Sequence, residues 1–388
     1  MPGPSSYWEM PIRNILRTPR RTILTGLGIG TAIATLVAIL GLLDTFTGTL
    51  AASESELTRE APDRMVVVLD TFYPIGSPPL AAIQEEPSVG RTQPGLLVGG
   101  TVPGEDEEIE MVIELLSLED AMWTPTLTGD VGPSDEPSIV LSAKAASDLG
   151  VTAGDSVTVQ HLTLGADGTG RATTSTLVVR AIHPSALRFR AYMDLADASV
   201  FGMSTLRNQV TVEPVAGGSQ AEVQRALFGL PGIVSVQPVD QLARVLEDAI
   251  DQFVGILRVV EVAVLLLAFL IAVNSASITV DERSREHATM FAFGLRLRTV
   301  ISMITLESLA TGILGTIAGL VAGYAVVLWI VERLLPRTVP EFGLDPQIGI
   351  ATVVTAAILG IVAVSVAPLL TVRRLRRMDI PSTLRVVE

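Results

Sequence analysis

Side chains able to do chemistry are few in this 388-residue chain, and their spacing fits no catalytic constellation. There is no cysteine, which excludes thiolate chemistry, cysteine-ligated metals and disulfides. The three histidines, His161, His183 and His287, stand far apart, outside the spacing that puts two imidazoles on one helix face for zinc. The single lysine, Lys144, lacks the preceding glycines whose backbone N–H groups cradle a phosphate, so ATP hydrolysis through a P-loop is excluded. No Gly-x-Ser-x-Gly nucleophile elbow occurs. The acidic run at 105–108 is flanked by Pro and Gly and reads as a solvated loop. Two other carboxylates, Glu261 and Glu307, stand at or inside long apolar runs, where a charge is costly unless paired or hydrated. Glu307 is expected to pair with a basic residue at the inner face. Glu261 is expected to snorkel with Arg258 on its own helix. Nothing here indicates an enzyme.

The elements that hold those glutamates say more. Residues 22–43, 262–280, 308–331 and 346–372 contain 22, 19, 24 and 27 residues without one ionisable side chain. At about 1.5 Å per residue, a helix of each length can cross a hydrocarbon core of roughly 30 Å. The expected fold is an integral membrane α-helical protein with four transmembrane helices, one plus three. A mixed α/β extracytoplasmic domain is inserted between helices 1 and 2. The first run is longer than the roughly 7–15 apolar residues of a signal peptide and reads as a retained anchor.

Arginines set the orientation. Arg13, Arg17, Arg20 and Arg21 precede the first run, Arg283, Arg285, Arg296 and Arg298 separate the second and third, and Arg373, Arg374, Arg376 and Arg377 follow the fourth. Basic flanks stay on the cytoplasmic side, so both termini are expected inside, in the cytoplasmic membrane of a multi-pass protein. The expected segments are a cytoplasmic amphipathic stretch at 1–21, helix 1 and its outward extension at 22–50, and the outside domain at 51–252. Helix 2 follows at 253–280, a cytoplasmic segment at 281–298, helix 3 at 299–331, an outer loop at 332–345, helix 4 at 346–372 and a tail at 373–388.

The outside block carries 29 acidic against 11 basic residues, a balance of -18 within a chain of -14, which argues against nucleic acid as its partner. Strands are expected at 64–70, 109–118, 173–182, 206–215 and 233–238. Residues 138–159 read as strand, short helix stopped by Gly150, turn and strand. A helix is expected at 220–230, and another from 239 running into helix 2. The Pro/Gly clusters at 74–104 and 124–137 read as loops, and the β-rich outer part as about 120–203.

Three stretches resemble a known family. IRNILRTPRRTILTGLGIG at 12–30, DERSREHATMFAFG at 281–294 and APLLTVRRLRRMDIPSTLR at 367–385 are similar in order and spacing to the FtsX-like permeases, the MacB and lipoprotein-releasing type of ABC transporter membrane subunit. In the cytoplasmic segment the match covers Glu282, Arg283, Glu286, Ala292 and Gly294. Where the family usually has Arg and Leu, this chain has Phe291 and Phe293.

The resemblance implies a permease subunit paired with a second copy, identical or not, in the lipid bilayer and driven by separate cytoplasmic ABC ATPase chains. Those chains would bind ATP and Mg, and this chain would bind no cofactor. An exported adaptor or substrate protein is a further implied partner. The segment with Glu282, Arg283, Glu286, Met290, Phe291, Phe293 and Gly294 would couple to the ATPase, and the outside domain would move mechanically. The alternative is an FtsX-type transducer that activates cell-wall hydrolases without transport. Gly26 and Gly30 in helix 1, and Gly315, Gly319 and Gly323 in helix 3, recur every four residues, a spacing that lets helix backbones approach closely.

Overall fold

The computed structural model describes residues 19–104, 108–132, 136–165, 168–241, 255–256, 258–260, 262–267, 269–271, 273–274, 277–278 and 289–376. Residues 1–18 of the expected amphipathic stretch, the expected helix from 239 beyond residue 241, the acidic residues 105–107 and the last residues of the tail lie outside them. The chain divides into two compact units. One comprises Met1–Phe46, Asp251–Leu334 and Pro346–Glu388, the other Thr47–Ile250 and Leu335–Asp345.

Helix α1 runs unbroken over Pro19–Thr58, 40 residues or about 60 Å. Proline is tolerated in its first turn, where the missing N–H has no intrahelical partner. The hydroxyls of Thr35 and Thr45 turn back onto the carbonyls four residues earlier, so they add no unsatisfied polar group to an apolar helix. In the first unit its Ile29, Ile33, Leu36 and Val37 bury against Ala356 and Val364. Leu27, Leu314, Val321 and Ile358 remain more than half exposed, an outward apolar surface that suits hydrocarbon. Among the described residues, two helical stretches can cross a membrane by length and composition, Ile23–Thr58 and Arg298–Thr338. Within the latter, α-helix spans Leu297–Trp329 and a π turn spans Ile330–Leu334. The C-terminal helix spans Ile350–Arg376, its apolar stretch Ile350–Val366 being shorter, and the described residues of 255–278 are helical.

The second unit is built on a nine-stranded sheet of order β3-β7-β4-β6-β5-β2-β8-β1-β9, with β2 also pairing β3. The strands are β1 (Met65–Pro74), β2 (Val89–Pro103), β3 (Glu108–Leu116), β4 (Ser138–Ser142), β5 (Ser156–Leu164), β6 (Gly170–His183), β7 (Arg190–Asp194), β8 (Leu206–Pro214) and β9 (Ile233–Pro238). The extra β2–β3 pairing closes β2, β5, β6, β4, β7 and β3 into a ring, whose interior holds Leu96, Ile113, Ile139, Val159, Leu177 and Phe201. The remaining strands, with α2 (Pro78–Gln84) after β1 and α4 (Gln220–Leu227) after β8, form an antiparallel lobe of order β9-β1-β8-β2. That is a split β-α-β arrangement with the barrel inserted between its second and third strands. Its core is Met65, Val67, Val210 and Val212 under Ile83 and Leu227. Helix α3 (Ala143–Leu149) starts on a Ser142 hydroxyl cap and stops at Gly150, φ 65°.

Two expectations fail here. Residues 74–104 are not loop: they supply α2 and the longest strand, β2. The first half of β2 is the edge of the split lobe, where Pro94 removes no needed ladder bond. Gly100 admits β3 and β5 on either side, since a Cβ there would stand 2.9 Å from both Ile113 Cδ1 and Val159 Cγ1. Nor is strand density concentrated at 120–203, because the barrel closes only through β2 and β3, and β8 and β9 follow it. Strand β7 and the 3-10 helix Leu195–Phe201 were not expected from the sequence.

Candidate functional site

No group of three or more His, Cys, Asp or Glu side chains among the described residues could hold a metal ion. The geometry of interest lies where helices meet in the first unit and where chain segments are bonded into the second.

In the first unit, α1 and the helix Leu297–Trp329, here α5, touch through backbone. A Cβ on Gly319 would stand 2.6 Å from the Gly30 carbonyl oxygen, and one on Gly315 2.9 Å from that of Gly26. At Gly323 it would lie 2.7 Å from Val37 Cβ. No side chain fits at such distances, so these glycines are positions of closest approach within one chain. Gly26 is different: its own Cβ would meet nothing within 4 Å, and only its carbonyl takes part. A second close contact was not singled out in the sequence. The C-terminal helix Ile350–Arg376, α6, meets α5 where a Cβ on Gly360 would stand 2.6 Å from Thr316 Oγ1 and one on Gly312 would stand 2.6 Å from Val364 Cγ1. Also in the first unit, Asp44 Oδ2 accepts the Gly349 N–H at 2.8 Å, placing a carboxylate at the N-terminus of α6.

Of the expected coupling residues, Glu282, Arg283 and Glu286 lie outside the described residues, as does Glu261. Met290 and Phe291 pack against Val300 and Ile304 of α5. Phe293 points away, 84% exposed, and Gly294 takes a left-handed φ of 82° that turns the chain into α5. Glu307 is half-buried in α5. The aromatic pair is therefore divided, one ring serving local packing and the other standing free.

In the second unit, the last turns of α1 are bonded into the domain. Trp123 Nε1 donates to the Glu56 carbonyl at 2.8 Å, while the Glu56 carboxylate accepts from Thr126 N at 2.9 Å and Thr126 Oγ1 at 2.8 Å. Arg59 Nη2 donates to the Thr124 carbonyl at 2.7 Å. Arg64 Nη1 donates to the carbonyls of Leu57 at 2.5 Å and Glu60 at 2.8 Å, capping the helix end. Its guanidinium lies 5.1 Å from the Trp123 ring centroid. Burial lowers the Arg64 pKa to about 10 against the opposing pull of Glu114. His183 stands edge-on to Trp123 and Tyr192 and shares a 3.1 Å hydrogen bond between Nδ1 and the Thr126 carbonyl. Burial pushes its pKa below the ordinary histidine value. The signal available in the sequence was Trp123 itself, a large aromatic beside a Pro-rich loop.

The segment Leu335–Asp345, expected as a plain outer loop, belongs to this unit as well. Leu187 and Phe342 form an antiparallel bridge, with Arg188 N donating to the Glu341 carbonyl at 2.9 Å and Gly343 N to that of Ala186 at 2.7 Å. Arg188 Nη2 meets Glu341 Oε1 at 2.8 Å, and Nη1 lies 3.7 Å from Asp148.

Residues 258–380 match the family model described as FtsX-like permease C-terminal. Comparison with curated proteins finds no match. Among solved structures, the chain is similar to the extracellular domain of the noncanonical ABC-type transporter YknZ from Gram-positive bacteria. That likeness has 8% identity and a TM-score of 0.31, and covers 44% of this chain and 98% of the other. A domain described as part of a permease from Porphyromonas gingivalis gives 16% identity and a TM-score of 0.26, with 45% and 87% covered. TM-scores this low establish no shared fold, and neither likeness carries an argument.

Proposed function

We propose that this chain, an FtsX-like permease by the match over residues 258–380, is the membrane subunit of an ABC transporter of the MacB and lipoprotein-release type. It crosses the cytoplasmic membrane four times with both termini inside, and it pairs with a second copy. Separate cytoplasmic ATPase chains hydrolyse ATP, and the coupling segment 281–298 passes their closure to the helices.

The family match carries the reading, because it includes that segment and the three C-terminal apolar runs. The structure supports a mechanical role in two ways. Helix α1 is one unbroken rod of 40 residues, and its last turns are held by Trp123, Thr126 and Arg64. In this reading α1 is the element that carries the displacement. The loop between α5 and α6 supplies a second such hold through Arg188 and Glu341.

Phe293, exposed beside Gly294, is the apolar contact offered to the ATPase, while Phe291 and Met290 brace the turn from within. The intimate contact of Gly30 with Gly319 makes α1 and α5 move together.

Two experiments test the reading. Single cysteines at Ser77 and Ser219, placed in a chain that has none, should react with an impermeant thiol reagent in intact cells, and cysteines at Thr18 and Ser382 should not. Reaction of the latter two would overturn the orientation. The chain should also co-purify with an ATPase and show no ATPase activity once that partner is removed. Activation of a cell-wall hydrolase with no substrate moved would replace transport by transduction.

A further inference from the structure

Between the split lobe and the barrel of the outside unit lies a cleft of about 280 Å³. Strand alternation builds its floor. Met65, Val67, Val210 and Val212 point into the lobe's core, so Val66, Val68, Gln209 and Thr211 point the other way and line the cleft. Trp123 and Phe189 stand among its walls.

Its charges do not balance. The ionisable groups among the described lining residues are Arg64, Arg190 and Glu114, two cations against one anion, in a block whose net charge is -18. Glu114 is already engaged, with Oε1 accepting from Gln209 Nε2 at 2.6 Å. Arg190 has only long contacts, Nη1 lying 3.7 Å from Glu114 Oε2 and 3.5 Å from the Tyr192 hydroxyl. Its side chain is 41% exposed and lines the cleft, so a ligand there can reach it. A guanidinium in that setting offers a flat fork of donors that matches a carboxylate or phosphate.

We propose that this cleft binds a small amphiphile with one anionic end group, a carboxylate or a phosphate monoester. The end group meets Arg190 and the apolar body lies against Trp123 and Phe189. The volume equals about nine water molecules at roughly 30 Å³ each, room for one ring and a short charged arm. The site is independent of how the permease is driven.

The chain's other tryptophans, Trp8 and Trp329, can be replaced by Phe to leave Trp123 as the sole reporter in the full-length protein in nanodiscs. Phenylacetate, phenyl phosphate, phenethyl alcohol, phenethylamine and inorganic phosphate are then titrated. A saturable change in Trp123 emission is expected with phenylacetate, phenyl phosphate or both, and with neither the alcohol nor the amine. Which anion binds more tightly separates a carboxylate from a phosphate ligand. Arg190→Met should weaken binding at least tenfold, and Arg190→Lys should retain part of it. Thr211→Phe, which fills the floor without touching a charge, should abolish it at unchanged melting temperature. Equal responses to all probes, inorganic phosphate binding as tightly as phenyl phosphate, anion binding that survives Arg190→Met, or no saturable response to either organic anion would overturn the proposal.

Discussion

Trp123 donates its indole N–H to the carbonyl of Glu56, 67 residues earlier in the chain, and so fastens the last turns of α1 within the second unit. The ring is 7% exposed and shares its environment with Leu116, Val140 and Tyr192. Removing it takes away both the packing and the bond. Trp123→Ala should cost about 3–5 kcal/mol in the outside domain, and Trp123→Phe substantially less. Thermal unfolding, with proteolysis near residues 56–64 as a second reading, measures both. Equal stability of Trp123→Ala and the parent would show that the helix end is not fastened there.

Gly319 and Gly26 should differ in their response to enlargement. Gly319→Leu places a side chain against the Gly30 carbonyl and should destabilise the membrane unit by about 1–3 kcal/mol or more. Gly26→Ala should be neutral, because its Cβ meets open space. Melting temperatures in detergent compare the two.

His183 should make the second unit sensitive to acid. Its folded pKa lies below the ordinary value of 6.5, so below that pH the unfolded chain binds more protons than the folded one. Stability from this group is complete above pH 6.5 and is lost as pH falls from there to the lowered pKa, by at most about 1.4 kcal/mol per pH unit. Glu56 on α1, Arg59 just beyond its end, and Arg190 on β7 are the charges that modulate it. His183→Gln should flatten the stability profile below pH 6.5. An unchanged slope would assign the acid sensitivity to other groups.

The loop between α5 and α6 should be fixed to the domain at rest. Paired residues of an antiparallel bridge have Cα atoms about 4.5–5.5 Å apart, within disulfide range. Leu187→Cys with Phe342→Cys should therefore crosslink on mild oxidation in membranes, while either cysteine alone should give no intramolecular product. Arg188→Gln should lower the yield by freeing Glu341. Absence of the crosslink would remove this attachment.

Much of this arrangement was legible in the sequence, and the failures have physical causes. Strands β1, β3, β6, β8 and β9 and helices α3 and α4 were readable because apolar alternation and local caps, such as Ser142 and the Ser219–Glu222 capping box, are local signals. Strand β2 was hidden because its prolines and glycines serve an edge and a crowded crossing, and those are set by partners far away in sequence. The four-residue glycine spacing was visible, but the partner of each glycine was not. Nor could the sequence say that Phe291 packs inward while Phe293 stands free, because that depends on the turn at Gly294. The clasp of Arg188 on Glu341 joins residues 153 apart, and no local pattern marks it.

Movement of the outside domain driven by ATP on another chain is the central claim. It is measured most directly by energy transfer between a donor on a cysteine at Ser77 and acceptor-labelled lipid, with the permease and its ATPase together in nanodiscs. Transfer efficiency should change on adding ATP, return after hydrolysis, and stay constant when the ATPase is omitted. Phe293→Ala should weaken ATPase binding by about thirty-fold, the equivalent of roughly 2 kcal/mol, and the ATP-dependent change should fall with it. Constant transfer while the bound ATPase turns over would contradict the claim.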